Sequence, residues 1–289
     1  MDHVIQAGRL SSYERAGLRF EVTDAGPEDG PVVVLLHGFP QRATCWARVA
    51  ARLNADGLRT LALDQRGYSP QARPRSRSDY TMPHLVADVV ELIDLAGGPV
   101  HLVGHDWGAA VAWALAGHHP ERVRSLVTVS VPHPRAYARS LFRSTQVARS
   151  WYMAAFQVPL LPEVSARTAP RLVEGALRRS GMPEDALARF RREMIDGGAL
   201  GPALGWYRAI PLGTGRSARM PLVRVPTTHV WSDDDATLSR RGAVLTTDHV
   251  EAPYRLVILE GVSHWIPDEV PEQLAALIEH RVTSTTPGA

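Results

Sequence analysis

Short runs of apolar, largely β-branched residues alternate along the chain with longer segments whose apolar residues recur at helical spacing. The runs are too brief for helices and are bounded by Gly, Pro or Asp, so we predict buried strands of a mostly parallel sheet. The predicted strands are residues 31–36, 58–63, 98–104, 124–131, 226–231 and 254–261. Residues 81–96 and 108–123 are predicted helices. Strand and helix in alternation predict an α/β fold with a doubly wound sheet.

Two segments depart from this alternation. Residues 11–26 resemble a β-hairpin, which we place at the edge of the sheet. From about Pro132 to Met220 the spacing is helical, Pro and Gly recur, and no convincing strand is present. We therefore predict a core domain formed by residues 1–131 and 221–289, with an all-helical cap inserted at residues 132–220.

Composition excludes several classes of protein. Of 289 residues, 45% are hydrophobic and 21% charged, which is typical of a globular chain. The longest apolar run, residues 109–116, is far shorter than the roughly 20 residues that span a bilayer, and no secretory signal is visible. The single cysteine, Cys45, excludes an internal disulfide and a cysteine-rich metal site. We predict a cytoplasmic protein with no membrane contact.

Charge is unevenly distributed, although the net charge is only +2. All 32 basic residues are arginine, and 14 of them, against 6 acidic residues, lie between His133 and Met220. No helix-turn-helix, zinc-finger or RNA-binding motif accompanies them. We interpret the excess as solvated helix faces and predict no nucleic-acid partner.

The segment Gly-His-Asp-Trp-Gly (residues 104–108) follows a predicted strand and opens a predicted helix. Small residues two before and two after Asp106 permit a tight strand-to-helix turn that lifts its side chain above the sheet. This arrangement resembles the nucleophile elbow of the α/β-hydrolases, with aspartate where serine is more frequent. Asp106 is therefore the predicted nucleophile.

The segment His37-Gly38-Phe39-Pro40 directly follows the first predicted parallel strand. In the α/β-hydrolase fold this loop supplies one backbone N–H of an oxyanion hole, and the residue after the nucleophile supplies the other. Phe39 and Trp107 are the two predicted donors.

A base and an acid complete the predicted site. Among twelve histidines, only His264 follows the last predicted strand and precedes the C-terminal helix, which is where this fold carries its base. The acid is expected after a strand between nucleophile and base, where Asp233, Asp234 and Asp235 stand. We predict Asp235, with Asp233 as the alternative.

Taken together, these motifs resemble those of the epoxide hydrolases of the α/β-hydrolase superfamily, over essentially residues 10–280. The resemblance implies two cap tyrosines that donate hydrogen bonds to the epoxide oxygen, and Tyr152 and Tyr207 stand in matching segments. It also implies a substrate pocket lined by His37, Pro40, Trp151, Phe156 and Trp206.

The implied reaction opens an epoxide to a vicinal diol. Asp106 attacks carbon to form an alkyl ester, the tyrosines assist the alkoxide, and water activated by His264 and Asp235 hydrolyses the ester. No metal or organic cofactor is needed. The implied partners are a small apolar epoxide and water, and the chain is expected to be a monomer or a homodimer.

Two alternatives stay open. A haloalkane or haloacid dehalogenase uses the same aspartate chemistry, and Trp107 with Trp151 or Trp206 could hold the halide. However, the loop residue is Phe39, and the arginines by which haloacetate dehalogenases bind carboxylate are replaced by Trp107 and Ala110. The other alternative is a catalytically silent scaffold that binds a ligand. Such a protein needs no catalytic triad, whereas a nucleophile, an acid and a base are all present here.

Overall fold

The structure is a computed structural model that describes residues 4–6, 8–142, 144–213 and 220–285. Within these residues nine strands form one sheet. They are β1 (Val4–Gln6), β2 (Arg9–Arg15), β3 (Leu18–Ala25), β4 (Val32–Leu36), β5 (Arg59–Leu63), β6 (Val100–His105), β7 (Val123–Val129), β8 (Thr227–Ser232) and β9 (Tyr254–Leu259).

Helices account for most of the rest of the described chain. They are α1 (Ala47–Ala55), α2 (Met82–Leu95), α3 (Trp107–His118), α4 (Pro134–Ser140), α5 (Gln146–Arg149), α6 (Trp151–Gln157), α7 (Leu161–Thr168), α8 (Pro170–Arg179), α9 (Glu184–Phe190), α10 (Leu200–Ala203), α11 (Gly205–Gly213), α12 (Arg240–Leu245), α13 (Ile266–Glu269) and α14 (Pro271–Thr283). A π-helical turn, Arg191–Asp196, follows α9.

The strand order is β1-β2-β3-β5-β4-β6-β7-β8-β9. Strands β2 and β3 form the predicted antiparallel hairpin, β3 pairs antiparallel with β5, and all pairs from β5 to β9 are parallel. The predicted α/β fold, with a mostly parallel sheet and a hairpin at one edge, is confirmed.

Both faces of the sheet are covered, which explains why the central strand β4 is an unbroken apolar run. In β4, Val34 and Leu36 join the hydrophobic core on the face of α2 and α3. Val33 and Leu35 point to the other face, where α1 and α14 pack. Side chains alternate between the two faces of a strand, so every β4 position after Val32 must be apolar.

Most of the described residues between β7 and β8 are helical. Helices α4 to α11 fall there, and the described part of this segment contains no strand. We call residues 134–213 the helical insertion. Residues 214–219 lie outside the described residues, and the division into a core and a cap at residues 132–220 stays a prediction. No helix in the described part of the chain is long and apolar enough to cross a bilayer.

The topology brings distant segments to one edge of the sheet. Strand β4 lies between β5 and β6 in the sheet, so the chain passes from β4 to its neighbour β5 and then crosses to β6 on the other side of β4. In open α/β sheets, such a reversal leaves a crevice at the carboxyl ends of the strands. The segments after β4, β6, β8 and β9 meet there and carry the predicted nucleophile, oxyanion donors, acid and base.

Candidate active site

Asp106 occupies a strained turn between β6 and α3. Its backbone φ of +50° lies in a region that non-glycine residues rarely adopt. The turn needs glycine on both sides: a Cβ on Gly104 would meet the backbone of Gly108, and one on Gly108 would meet the carbonyl of Leu36. The Gly-x-Asp-x-Gly spacing thus encodes a sharp turn that holds the Asp106 side chain above the sheet.

Backbone amides hold the Asp106 carboxylate. The Phe39 N–H donates to Oδ1 at 2.9 Å, and the Trp107 amide donates to the same carboxylate. A Cβ on Gly38 would collide with the Asp106 side chain, so glycine permits this approach. Burial raises the pKa of Asp106 above its ordinary value, opposed by His264 and the two amides. Both predicted oxyanion donors therefore converge on Asp106.

His264 lies between two carboxylates. Its Nε2 is 3.7 Å from Asp106 Oδ2, and its Nδ1 is 2.8 Å from Asp235 Oδ2. Burial lowers the pKa of His264, but the Asp235 charge and hydrogen bond, together with the Asp106 charge, raise it above the ordinary value overall. The Asp235 contact orients the ring so that Nε2 faces Asp106.

Asp235, in the loop after β8, is 1% exposed and well hydrogen-bonded. Its Oδ1 accepts from the Thr237 amide and hydroxyl, both at 2.7 Å, and from the Leu238 amide at 2.9 Å. Burial raises its pKa, but the charge and hydrogen bond of His264 and the bonds from Thr237 lower it overall. Asp235 is thus held as a carboxylate beside His264.

The alternative acid, Asp233, is not brought to His264. Its exposed side chain accepts instead from the Gly261 amide at 2.8 Å, in the turn after β9. Asp234 is exposed as well. The geometry therefore favours Asp235 among the three consecutive aspartates.

Three further residues support His264 and were not predicted to do so. The buried ring of His105 contacts the His264 carbonyl through Nε2 at 3.0 Å, and the Ser130 hydroxyl donates to the same carbonyl at 3.3 Å. Thr237 Oγ1 lies 3.1 Å from His264 Nδ1. Burial lowers the pKa of His105 to about 3, so its ring is neutral. No sequence signal identified these three contacts, because they depend on how the loops pack around His264.

Aromatic rings from the helical insertion cover the site. The Tyr207 ring lies 5.2 Å from Phe39 and 5.1 Å from Trp107, measured between ring centroids. Phe156 lies 4.9 Å from Tyr207, and Tyr152 lies 6.2 Å from it. The structure thus packs Tyr207 against both predicted oxyanion residues and places Tyr152 beside Tyr207.

The two phenols stay protonated over a wide pH range. Burial raises the pKa of Tyr152 and of Tyr207 well above the ordinary value near 10, and the negative charge of Asp106 raises both further. A protonated phenol can donate a hydrogen bond, and in this environment it gives up its proton only to a strong base such as an alkoxide. The pair can therefore stabilise negative charge that develops on a molecule between the tyrosines and Asp106.

The other predicted pocket residues lie in different surroundings. Pro40 is buried beside Phe39, and Phe156 faces Tyr207. His37 is fully buried, and its ring bonds the Gly38 carbonyl and the Gln65 amide, so it supports the oxyanion loop. Burial lowers the pKa of His37 to about 4.

The two remaining tryptophans differ from each other. Trp206 is buried against Trp107, with ring centroids 5.5 Å apart, and its Nε1 donates to the Arg66 carbonyl at 2.7 Å. Trp151, the residue before Tyr152, is 71% exposed. The structure therefore brings Trp206 to the site but leaves Trp151 at the surface.

Known proteins share this fold and sequence. The family described as alpha/beta hydrolase fold matches residues 31–271. The AB hydrolase superfamily protein YfhM of Bacillus subtilis is 34% identical over 269 residues, which are 91% of this chain and 93% of that protein. Epoxide hydrolase A of Mycobacterium tuberculosis is 32% identical over 308 aligned residues, covering 91% of this chain and 94% of that protein.

A solved structure agrees with these sequence matches. The crystal structure of epoxide hydrolase VrEH1 from Vigna radiata aligns with a TM-score of 0.80 at 28% identity. The alignment covers 94% of this chain and 97% of that chain. The likeness therefore extends over both the sheet and the helical insertion.

Proposed function

The chain belongs to the α/β-hydrolase family and, within it, to the epoxide hydrolases, and we propose that it opens a small apolar epoxide to a vicinal diol through an ester on Asp106. The observation that carries the proposed route is the position of Asp106: His264 Nε2 lies 3.7 Å away, and the next residue, Trp107, packs against Tyr207, which in turn contacts Tyr152. No other described carboxylate shares that setting.

In the first step, Asp106 Oδ2 attacks an epoxide carbon, because Oδ1 is held by the Phe39 amide. The carbon–oxygen bond of the ring breaks, and its electron pair goes to the epoxide oxygen. Tyr152 and Tyr207 donate hydrogen bonds to that oxygen, and one supplies the proton that the alkoxide needs. The product of this step is an alkyl ester on Asp106.

In the second step, water attacks the ester carbonyl carbon while His264 Nε2 takes its proton. Negative charge develops on the oxygen facing the amides of Phe39 and Trp107, which stabilise it. Asp235 stabilises the imidazolium through Nδ1. Collapse of the intermediate breaks the ester bond, and the departing alkoxide takes the proton from His264 and leaves as the diol. The acid proton left on Asp106 passes to the tyrosinate formed in the first step, so Asp106 is again a carboxylate and both phenols are protonated.

Halide displacement fits the geometry less well. A dehalogenase needs donors aimed at the departing halide, and an indole N–H is the candidate here. The Trp206 indole already donates to the Arg66 carbonyl, and Trp151 points into solvent. Neither can serve as the second halide donor beside Trp107 without rearrangement.

A substrate panel tests the proposed function. Styrene-type, terpene-type and fatty epoxides are offered beside haloalkanes, and diol and halide release are measured. We expect diol from at least one epoxide class, no halide, and loss of diol formation in Asp106→Asn. Halide release without diol would instead support a dehalogenase, and an active Asp106→Asn would overturn the ester route.

The sequence also predicts a cap, an apolar substrate, an oligomeric state and a cellular location. We propose that residues 132–220 act as a cap over the site, supported by the packing of Tyr207 on Phe39 and Trp107. A pocket of mostly aromatic residues suits a small apolar epoxide. The monomeric or homodimeric state and the cytoplasmic location stay predictions.

A further inference from the structure

A buried carboxylate links three parts of the molecule outside the site described above. Asp268, four residues after His264, is 3% exposed. Its Oδ2 accepts from Gln41 Nε2 at 2.5 Å, and Gln41 lies two residues after Phe39. Its Oδ1 accepts from Arg189, which lies on α9 of the helical insertion. One side chain therefore joins the oxyanion loop (residues 37–41), the histidine loop (residues 260–269, which include α13) and the helical insertion.

Other contacts fix the histidine loop against the same region. Arg48 donates to the backbone carbonyl of Asp268. The Trp265 indole donates to the Ser180 hydroxyl at 3.1 Å, just before the turn into α9. A Cβ on Gly181 would collide with the side chain of Ser263. The loop on both sides of His264 is thus packed against the helical insertion.

We propose that Asp268 is a positioning residue for hydrolysis of the ester, an inference that rests on the proposed function. Asp268 does not touch the reacting atoms. It fixes the Phe39 amide and the His264 ring relative to each other, because its two oxygens are bonded to Gln41 and Arg189 while its backbone belongs to the histidine loop.

The second step depends on this alignment more than the first. In ester formation the Phe39 amide also holds Asp106 Oδ1, but the negative charge on that carboxylate falls during the step and His264 takes no proton. Ester hydrolysis needs the Phe39 amide at the oxyanion and His264 Nε2 at the water, and both stand on the segments that Asp268 joins. A misplacement well below 1 Å reduces such catalysis.

This division gives a distinctive kinetic signature. When hydrolysis of a covalent intermediate limits turnover, slowing it lowers kcat and KM together, while kcat/KM depends only on steps up to ester formation. A general loss of folded enzyme lowers kcat and leaves KM unchanged. The two effects can therefore be separated.

The test measures both half-reactions by rapid quench and intact-protein mass. The variants are Asp268→Asn, which faces Gln41 or Arg189 with an amide donor, and Gln41→Leu, which leaves the Asp268–Arg189 pair intact. Asp24→Asn is the matched control: its carboxylate is also buried and bonded to two arginines, Arg9 and Arg59, at the edge of the sheet. His264→Gln is expected to accumulate the ester and therefore provides its reference mass.

We expect Asp268→Asn to slow ester decay about 10-fold or more, with ester formation within twofold of wild type and kcat and KM falling together. Gln41→Leu should also slow ester decay, so it provides the test if Asp268→Asn fails to fold. Asp24→Asn should change neither the formation nor the decay of the ester. Unchanged decay in a folded variant, or formation slowed as much as decay, overturns the positioning role. No ester in any variant, His264→Gln included, overturns the proposed function as well.

Discussion

Asp106, His264 and Asp235 have pKa values that depend on one another. Burial favours the neutral form of each residue, but every neighbouring opposite charge favours the ionised form. Asp235 stays ionised because it receives hydrogen bonds from Thr237 and Leu238 as well as from His264. Once Asp106 becomes an ester it loses its charge, so His264 is left with Asp235 as its ionic partner. In the proposed route this loss lowers the pKa of His264 and so favours the neutral imidazole, which is the form that can take a proton from water.

His264→Gln should trap the ester. The variant removes the base that activates water but leaves Asp106 and the two phenols in place, so the first step can proceed. We expect the intact protein to gain the mass of one epoxide, and the adduct to map to the peptide that contains Asp106. Normal turnover by this variant, or no adduct with a substrate that wild type converts, would contradict the role of His264.

At the scale of residues, the sequence motifs predict where candidate catalytic side chains stand in the fold, but they do not predict the side-chain contacts around them. The positions of Asp106 and His264 at the same edge of the sheet could be predicted, because the fold fixes which segments follow its strands; their catalytic roles stay predictions. Asp235 could not be separated from Asp233, because both follow β8 and only the turn of the loop directs one side chain inward. The contacts of His105 and Thr237 with His264 depend on packing that a single sequence does not specify.

At the scale of elements, α6 and α11 supply the two phenols. Tyr152→Phe and Tyr207→Phe each remove one hydroxyl and keep the ring that packs on Phe156. Loss of one donor to the developing alkoxide should slow ester formation by about 10-fold or more, at about 1.4 kcal/mol per decade. The double variant should lose more than either single variant. Single-turnover rates with a reactive epoxide measure this effect.

Tyr13→Phe is the control for the phenol variants. Tyr13 lies in β2, away from the candidate site, and its buried hydroxyl donates to the Asp88 carbonyl at 2.7 Å. Loss of this hydroxyl should therefore affect stability and not ester formation. If the double variant of Tyr152 and Tyr207 folds and opens epoxides at the wild-type rate, the role of the phenols is wrong.

The order and type of the helices and strands were largely predictable from the sequence. Which side of a short helix is buried was not. Long periodic segments such as α2 and unbroken apolar strands such as β4 fix which faces are buried. Helix α6 has seven residues, too few to define a face, so Trp151 and Tyr152 could not be distinguished. The structure exposes the first and turns the second toward Tyr207.

At the scale of the whole molecule, burial of neutral histidines makes folding sensitive to acid. Among the described residues, five buried histidines have pKa values lowered to between about 3 and about 4, with burial the largest cause. They are His37, His101, His105, His133 and His229. In the unfolded chain each titrates near 6.5, so the unfolded state binds more protons below that pH.

The free energy of unfolding should therefore be greatest above about pH 6.5 and fall as the pH drops from there toward 4. Each of the five contributes a slope of up to about 1.4 kcal/mol per pH unit in that window. His264, whose pKa is raised, acts in the opposite sense but is one residue against five. Urea unfolding at several pH values measures the dependence.

A histidine outside the site provides the control for this dependence. His229 on β8 contacts the Thr128 hydroxyl at 3.0 Å, so His229→Gln can keep a polar partner. The variant should lower the slope between pH 6 and 5 by about 1.4 kcal/mol per pH unit at most. An unfolding free energy that stays constant from pH 7 to 4.5 would contradict the account of the buried histidines.

The central claim is that Asp106 supplies the oxygen that enters the product. A single turnover with enzyme in excess, carried out in ¹⁸O-labelled water and analysed by mass spectrometry of the diol, tests it directly. We predict an unlabelled diol, because its new oxygen comes from Asp106, with the label entering the carboxylate of Asp106 when water attacks the ester carbonyl. Label in the diol of the first turnover would show that water attacks the epoxide directly, and would contradict the covalent route.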